Sequence, residues 1–164
     1  MRYRWLIIDG NNLIHADAEL VRLVRDGFNE ARVALVRRLE PLVGLLAERI
    51  TVIFDGGPAT SRSSGYESAR REPLDSAVEV FFSPPQFTAD SVIERLVSDQ
   101  KDRGVLVVSS DYAERHTVEA AGVDTISCRS FLELAAKEDR LLRKKITTAP
   151  KNKITLDNFF PPSS

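Results

Sequence analysis

The chain has 164 residues, 43% of them hydrophobic and 29% charged, with a net charge of −1, a makeup that fits one globular domain and excludes a disordered or fibrous protein. No global basic field announces nucleic acid, so any attraction to a polyanion has to come from local patches. Cys128 is the only cysteine, which excludes an internal disulfide framework, fits a reducing compartment and, with no motif around it, marks a small core residue.

The first element predicted is a strand over Trp5 to Ile8. This apolar run is too short for a signal peptide, and no stretch approaches the roughly 18 apolar residues of a membrane span, which makes the cytoplasm the expected location. From about Asn29 to Arg49, Val33, Val36, Leu39, Val43 and Leu46 recur at three- and four-residue spacing, predicting a helix that Pro41 kinks or divides. Thr51 to Phe54 is the second strand. Gly56 to Ser76, rich in Gly, Ser, Arg and Pro, is too long for an ordinary connection and is expected to be mobile or functional. Val78 to Phe82 is the third strand, and Thr88 caps a helix through Val92, Ile93, Leu96 and Val97 that ends before Gly104. The fourth strand is Val105 to Val108; Ser110 or Asp111 starts a helix that Gly122 closes. A weaker fifth strand covers Val123 to Ser127. Ser130 and Glu133 form a capping box for a last helix reaching about Lys145. Residues 1–146 thus make one domain and 147–164 a basic to apolar tail. Apolar runs alternating with helical stretches predict an α/β fold, with a central parallel sheet covered on both faces.

The positions of the aspartates carry the chemistry. Asp9 follows the first strand, Asp55 the second and Asp111 the fourth, while Asp90 lies in the first helical turn after the third. In an open parallel sheet the residues just past the strand ends converge on the carboxyl edge, where ligands bind. Like charges about 4 Å apart repel by about 4 kcal/mol at an effective dielectric of about 20, so clustered carboxylates need protons, solvent or cations. Oxygen ligands without histidine or thiolate suit Mg²⁺ or Mn²⁺. Each acid also has a plainer reading as a helix cap, which for Asp90 and Asp111 weighs equally. Asp9 interrupts an apolar run and precedes Gly10-Asn11-Asn12, residues that tolerate tight turns beside a ligand. Asn12 either orients a carboxylate through its amide or makes an Asx turn. Glu94, one turn beyond Asp90, either joins the cluster or occupies an exposed helix position.

Leu6-Ile-Ile-Asp-Gly-Asn-Asn-Leu-Ile14, Val52-Ile-Phe-Asp-Gly56, Val78-Glu-Val-Phe-Phe82, Thr88-Ala-Asp-Ser-Val-Ile-Glu94 and Val107-Val-Ser-Ser-Asp-Tyr112 together resemble the NYN domain proteins, in the bacterial YacP-like branch of the PIN-like ribonuclease superfamily. The likeness runs in order from about Arg4 to Lys145. It implies a three-layer α/β/α PIN-like, Rossmann-like fold and metal-dependent endoribonuclease activity. Asp9, Asp90 and Asp111 match the acidic motif positions, Asp55 a further acidic position and Asn12 the asparagine of the first motif. Asn11 stands where the family often has an aromatic residue, a departure that bears on substrate contact.

Hydrolysis would attack an RNA phosphodiester directly, on ribosome-associated RNA among other substrates, with no covalent enzyme intermediate. Ser109 and Ser110 lack a nearby histidine motif and are expected to bond backbone; His15 and His116 are expected at the surface. Residues 136–153 hold seven Lys or Arg, among them Lys144 and Lys145, against Glu138 and Asp139, leaving +5 there and −6 elsewhere. With Arg62, Arg70 and Arg71 of the long loop they are candidate phosphate contacts, or else a solvated helix and tail. Tyr66, Phe87 and Tyr112 are candidate base-stacking residues, or ordinary packing. A receiver-type signalling domain shares such a sheet, but Cys128-Arg129 replaces its lysine; a phosphatase would need Asp-x-Asp where Asp9-Gly-Asn11 stands. The rival of another class is a catalytically weak RNA- or ribosome-binding module. The oligomeric state is open, with a monomer favoured.

Overall fold

A computed structural model of the chain describes residues 2–56, 76–100 and 104–148. Within them lie strands β1 (Tyr3–Asp9), β2 (Ala47–Phe54), β3 (Glu79–Phe82), β4 (Val105–Val108) and β5 (Asp124–Ile126). The helices are α1 (Gly10–Ala16), α2 (Ala18–Val24), α3 (Phe28–Leu39), α4 (Ala89–Ser98), α5 (Tyr112–Ala120) and α6 (Cys128–Thr148). All strand pairings are parallel, in the order β3-β2-β1-β4-β5. The chain therefore builds outward from β1 to β3, crosses back over β1 and β2 through α4, and finishes on the other side with β4 and β5. That reversal puts a switch point between β1 and β4, where the carboxyl ends of neighbouring strands diverge into helices on opposite faces.

The two-residue period of the strands divides the core in two. Leu6 and Ile8 of β1 and Leu106 and Val108 of β4 pack with α1, α2, α3 and α6, through Leu13, Leu20, Leu35 and Phe131 among others. Trp5 and Ile7, with Val105 and Val107, pack with α4 and α5 through Ile93, Val97 and Val118. Both faces of the central strands are covered, so β1 and β4 read as unbroken apolar runs, and the result is the three-layer α/β/α arrangement expected above.

Several boundaries differ from the sequence expectation, each for a local reason. Gly10-Asn11-Asn12 is the first turn of α1 and not a tight loop, because the Asp9 side chain accepts the Asn12 backbone N–H and caps the helix. The predicted 29–49 helix stops at Leu39, gives way to a 3-10 turn over Glu40–Leu42 that contains Pro41, and is followed by β2 from Ala47. α6 starts two residues before Ser130: Ser127 Oγ accepts the Ser130 N–H at 3.1 Å, while Glu133 pairs with Arg129 at 3.6 Å. Thr88 caps α4 as expected, and Gly122, at φ +83°, follows α5. The long loop beyond Gly56 and the tail beyond Thr148 lie outside the described residues. Cys128 is fully buried, and burial pushes its thiol up to about 11. Among the described residues no helix is long and apolar enough to cross a membrane.

Candidate metal centre

Asp9 ends β1 in register with Ile7 and Trp5, so its side chain falls on the face covered by α4 and α5. The chain delivers one carboxylate from each of those helices to the same place. Asp90 comes from the first turn of α4, and Glu114 from the buried stripe of α5, one turn before Val118. Oxygens of Asp9, Asp90 and Glu114 lie within 4.8 Å of one another, although Asp9 and Glu114 are each only 2% exposed.

A lattice of donors holds the acids in place. Asp9 Oδ1 accepts the Asn12 backbone N–H at 2.9 Å and Oδ2 accepts Asn12 Nδ2 at 2.8 Å. Asn12 Nδ2 also donates to Ser109 Oγ at 3.2 Å, Ser109 Oγ accepts the Asp111 N–H at 3.0 Å, and the Ser109 hydroxyl donates to Glu114 Oε2. Glu114 Oε1 is buried with no hydrogen-bond partner among the described residues. Burial pushes the Asp9 carboxyl up to about 7, opposed by the Asn12 backbone bond, with the Asp90 and Asp55 charges adding to the rise. Burial pushes Glu114 up to about 8, opposed by the Ser109 hydroxyl, with Asp90 and Asp9 again raising it. Three oxygen acids, a buried carboxylate oxygen with no donor and two carboxyls that resist ionisation fit a hard divalent cation, which would supply the missing positive charge.

The other expected residues have distinct places. Asp55 Oδ1 accepts the Ala89 N–H at 2.7 Å, so it fixes the start of α4 and thereby Asp90. Asp111 Oδ1 accepts the Ala113 and Glu114 N–H groups, capping α5 from an exposed position. Asn12 joins the cluster through Asp9, whereas Asn11 Oδ1 accepts the Asp55 N–H at 3.2 Å and bridges α1 to the end of β2. Glu94 is half-buried outside the group of three. His15 and His116 are exposed, as expected. Lys144 and Lys145 sit near the far end of α6, about 24 Å along its axis from Cys128. Arg62, Tyr66, Arg70 and Arg71 lie outside the described residues. Two of the expected stacking residues are exposed: Tyr112, 76% exposed and stacked on His116, and Phe87, 41% exposed beneath Arg95. Sequence reasoning missed Glu114. The sequence masks it: Glu114 lies four residues before Val118, but three residues after Asp111 it has the place of an ordinary first-turn acid of α5.

A family model described as the YacP-like NYN domain matches residues 6–160. The chain belongs to that family. A YacP-like relative, the uncharacterized protein YacP of Bacillus subtilis (strain 168), is 27% identical over 157 residues, which are 92% of this chain and 88% of the relative. Two crystal structures of Rae1 (YacP) from Bacillus subtilis, one of them a mutant, are similar in fold. The mutant is 26% identical with a TM-score of 0.69, covering 94% of this chain and 89% of its own. The other is 27% identical with a TM-score of 0.66, covering 94% and 88%.

Proposed function

We propose that this NYN protein is a metal-dependent endoribonuclease that hydrolyses RNA phosphodiester bonds, with Mg²⁺ or Mn²⁺ held by Asp9, Asp90 and Glu114. The observation that carries the reading is the convergence of three carboxylates at the carboxyl edge of a parallel sheet, two of them almost fully buried. Bound there, a divalent ion would supply Lewis-acid polarisation of the phosphodiester and ease deprotonation of the attacking water. The protein's own groups set the stage. Asn12 orients Asp9, Ser109 orients Glu114, Asp55 anchors the turn that carries Asp90, and Asp111 anchors the turn that carries Glu114. Asp55 and Asp111 also keep negative charge at the rim, which favours a second cation when substrate phosphate arrives. Tyr112 and Phe87 offer exposed ring faces for unpaired bases, and the basic end of α6 offers phosphate contacts farther out. RNA is the proposed partner, ribosome-associated RNA included.

The test uses the full chain with end-labelled single-stranded and structured RNAs in Mn²⁺ or Mg²⁺, beside EDTA and Asp9→Asn controls. Cleavage that disappears in both controls supports the enzyme. A folded protein that binds RNA yet cuts none in excess Mn²⁺ is instead a binding module, and co-sedimentation with ribosomes then identifies its target.

A further inference from the structure

Arg32, on α3, is a charged side chain that neither the apolar core nor the acid cluster explains. Its guanidinium carbon lies 4.8 Å from the ring centre of Phe28, 5.2 Å from that of Phe54 and 5.0 Å from that of Phe82. Nη2 donates to the carbonyl oxygens of Asp55 and Gly56, both at a long 3.3 Å. Nε is buried with no hydrogen-bond partner among the described residues. Nor does any carboxylate among them form an ion pair with it. Burial works against the charge and lowers the pKa of the group.

Arg32 is half-buried with no carboxylate among the described residues to pair with it, so part of its desolvation is offset only by the three ring faces and two long carbonyl bonds. Arginine is the fitting residue where the place receives an anion. The location says which anion. Asp55 holds Arg32 by its carbonyl oxygen, and its carboxylate accepts the N–H of Ala89, the neighbour of Asp90. The guanidinium therefore lies at the same strand end as the acids, on the opposite, α3 side of the sheet. A cluster of carboxylates repels a polyanion, and a fixed cation at its margin offsets the repulsion where the strand must pass. The three rings also hold the planar fork in one orientation, the geometry that two phosphate oxygens accept together.

We propose that Arg32 is a substrate-binding residue that grips a backbone phosphate of the RNA strand on the β2 side of the acid cluster. The inference rests on the nuclease reading, and the test keeps the two apart. Binding of a fluorescently labelled single-stranded RNA to the full chain is measured in EDTA across a salt series, for wild type, R32M and R32K, with melting temperature and Mn²⁺-induced stabilisation measured on each. R32M is expected to bind about tenfold more weakly, with a log–log salt slope shallower by about one. Its melting temperature should change little, because the desolvation of the half-buried cation and its ring contacts are lost together, and its Mn²⁺ response should be unchanged. R32K, which keeps the charge and serves as the second folded variant, should keep the slope but bind about threefold more weakly for want of the fork. A lower melting temperature in R32M with RNA affinity and salt slope intact would overturn the inference and make Arg32 a structural tie between α3 and β2. Wild-type protein that binds no RNA in EDTA would overturn this inference, and failure to cut RNA in Mn²⁺ as well would overturn the nuclease reading itself.

Discussion

Replacing Glu114 by glutamine tests the metal centre without measuring activity. The side chain is 2% exposed, and burial raises its carboxyl from the ordinary 4.5 to about 8. A raised acid holds its proton longer in the folded chain than in the unfolded one. Its contribution is therefore fully present below the unfolded value and is lost as pH rises through 4.5 toward 8. Spread over that interval, the cost of ionising Glu114 has a ceiling of about 5 kcal/mol, which water penetration and sharing of the proton with Asp9 and Asp90 reduce to an expected loss of about 2 kcal/mol. Glutamine keeps the shape and the acceptor for the Ser109 hydroxyl but carries no charge. In urea unfolding with EDTA, wild type and Glu114→Gln should match near pH 4, and the variant should be the more stable by about 2 kcal/mol near pH 8. Mn²⁺ at about a hundred times its dissociation constant should then stabilise wild type by about 3 kcal/mol and the variant far less. Equal stability of the two at both pH values in EDTA would refute the raised carboxyl, and equal stabilisation of both by Mn²⁺ would refute the placing of Glu114 among the metal's ligands.

Asp9→Asn should lower RNA cleavage by at least about 100-fold, more than the 10- to 100-fold typical of groups that only orient a ligand, while RNA affinity in EDTA is kept; loss of both would point to misfolding, which circular dichroism reads directly. Asp111→Ala should cost about 1 kcal/mol of stability as a lost helix cap and leave the Mn²⁺ stabilisation in place. Disappearance of that stabilisation would put Asp111 among the ligands, as the family resemblance implies. Gly10→Ala should destabilise by at least about 2 kcal/mol through overpacking, because a Cβ there would meet the Phe54 ring at 2.3 Å and Val52 at 2.8 Å; an unchanged urea midpoint would refute the close approach of α1 to β2.

The strands were legible because both faces of the central sheet are buried, so β1 and β4 announce themselves as apolar runs; Val105–Val108 was bounded without error. The start of α1 was not, since Gly10-Asn11-Asn12 carries the composition of a turn. Its helical form has a tertiary cause: the Phe54 ring requires a glycine at position 10, and the Asp9 side chain caps the helix by accepting the Asn12 N–H. The beginning of β2 was hidden because helical spacing continues by coincidence through Leu46, past the break that Pro41 and Gly44, at φ +77°, impose. At the site, Asp9 and Asp90 could be named from their places after β1 and β3. Glu114 could not, because three residues after Asp111 it has the place of an ordinary first-turn acid in α5, and its burial depends on how α5 docks beside β1.

That docking also determines how much charge the protein can satisfy by itself. Asn12 has two side-chain N–H groups, one donated to Asp9 and the other to Ser109. The Ser109 oxygen already accepts from Asn12 and from the Asp111 N–H, so its single proton is committed to Glu114. The chain of donors from α1 to α5 thus ends on one oxygen of Glu114 and leaves the other, Oε1, without a donor among the described residues. Any further donation has to come from a proton or a cation. Below about pH 7 the raised Asp9 and Glu114 carboxyls retain protons, whereas by about pH 8 Asp9 has lost its proton and Glu114 is losing its own, and the carboxylates face one another with less between them. The pH range in which the metal-free fold is under greatest strain is therefore the range in which a divalent ion binds without having to displace a proton.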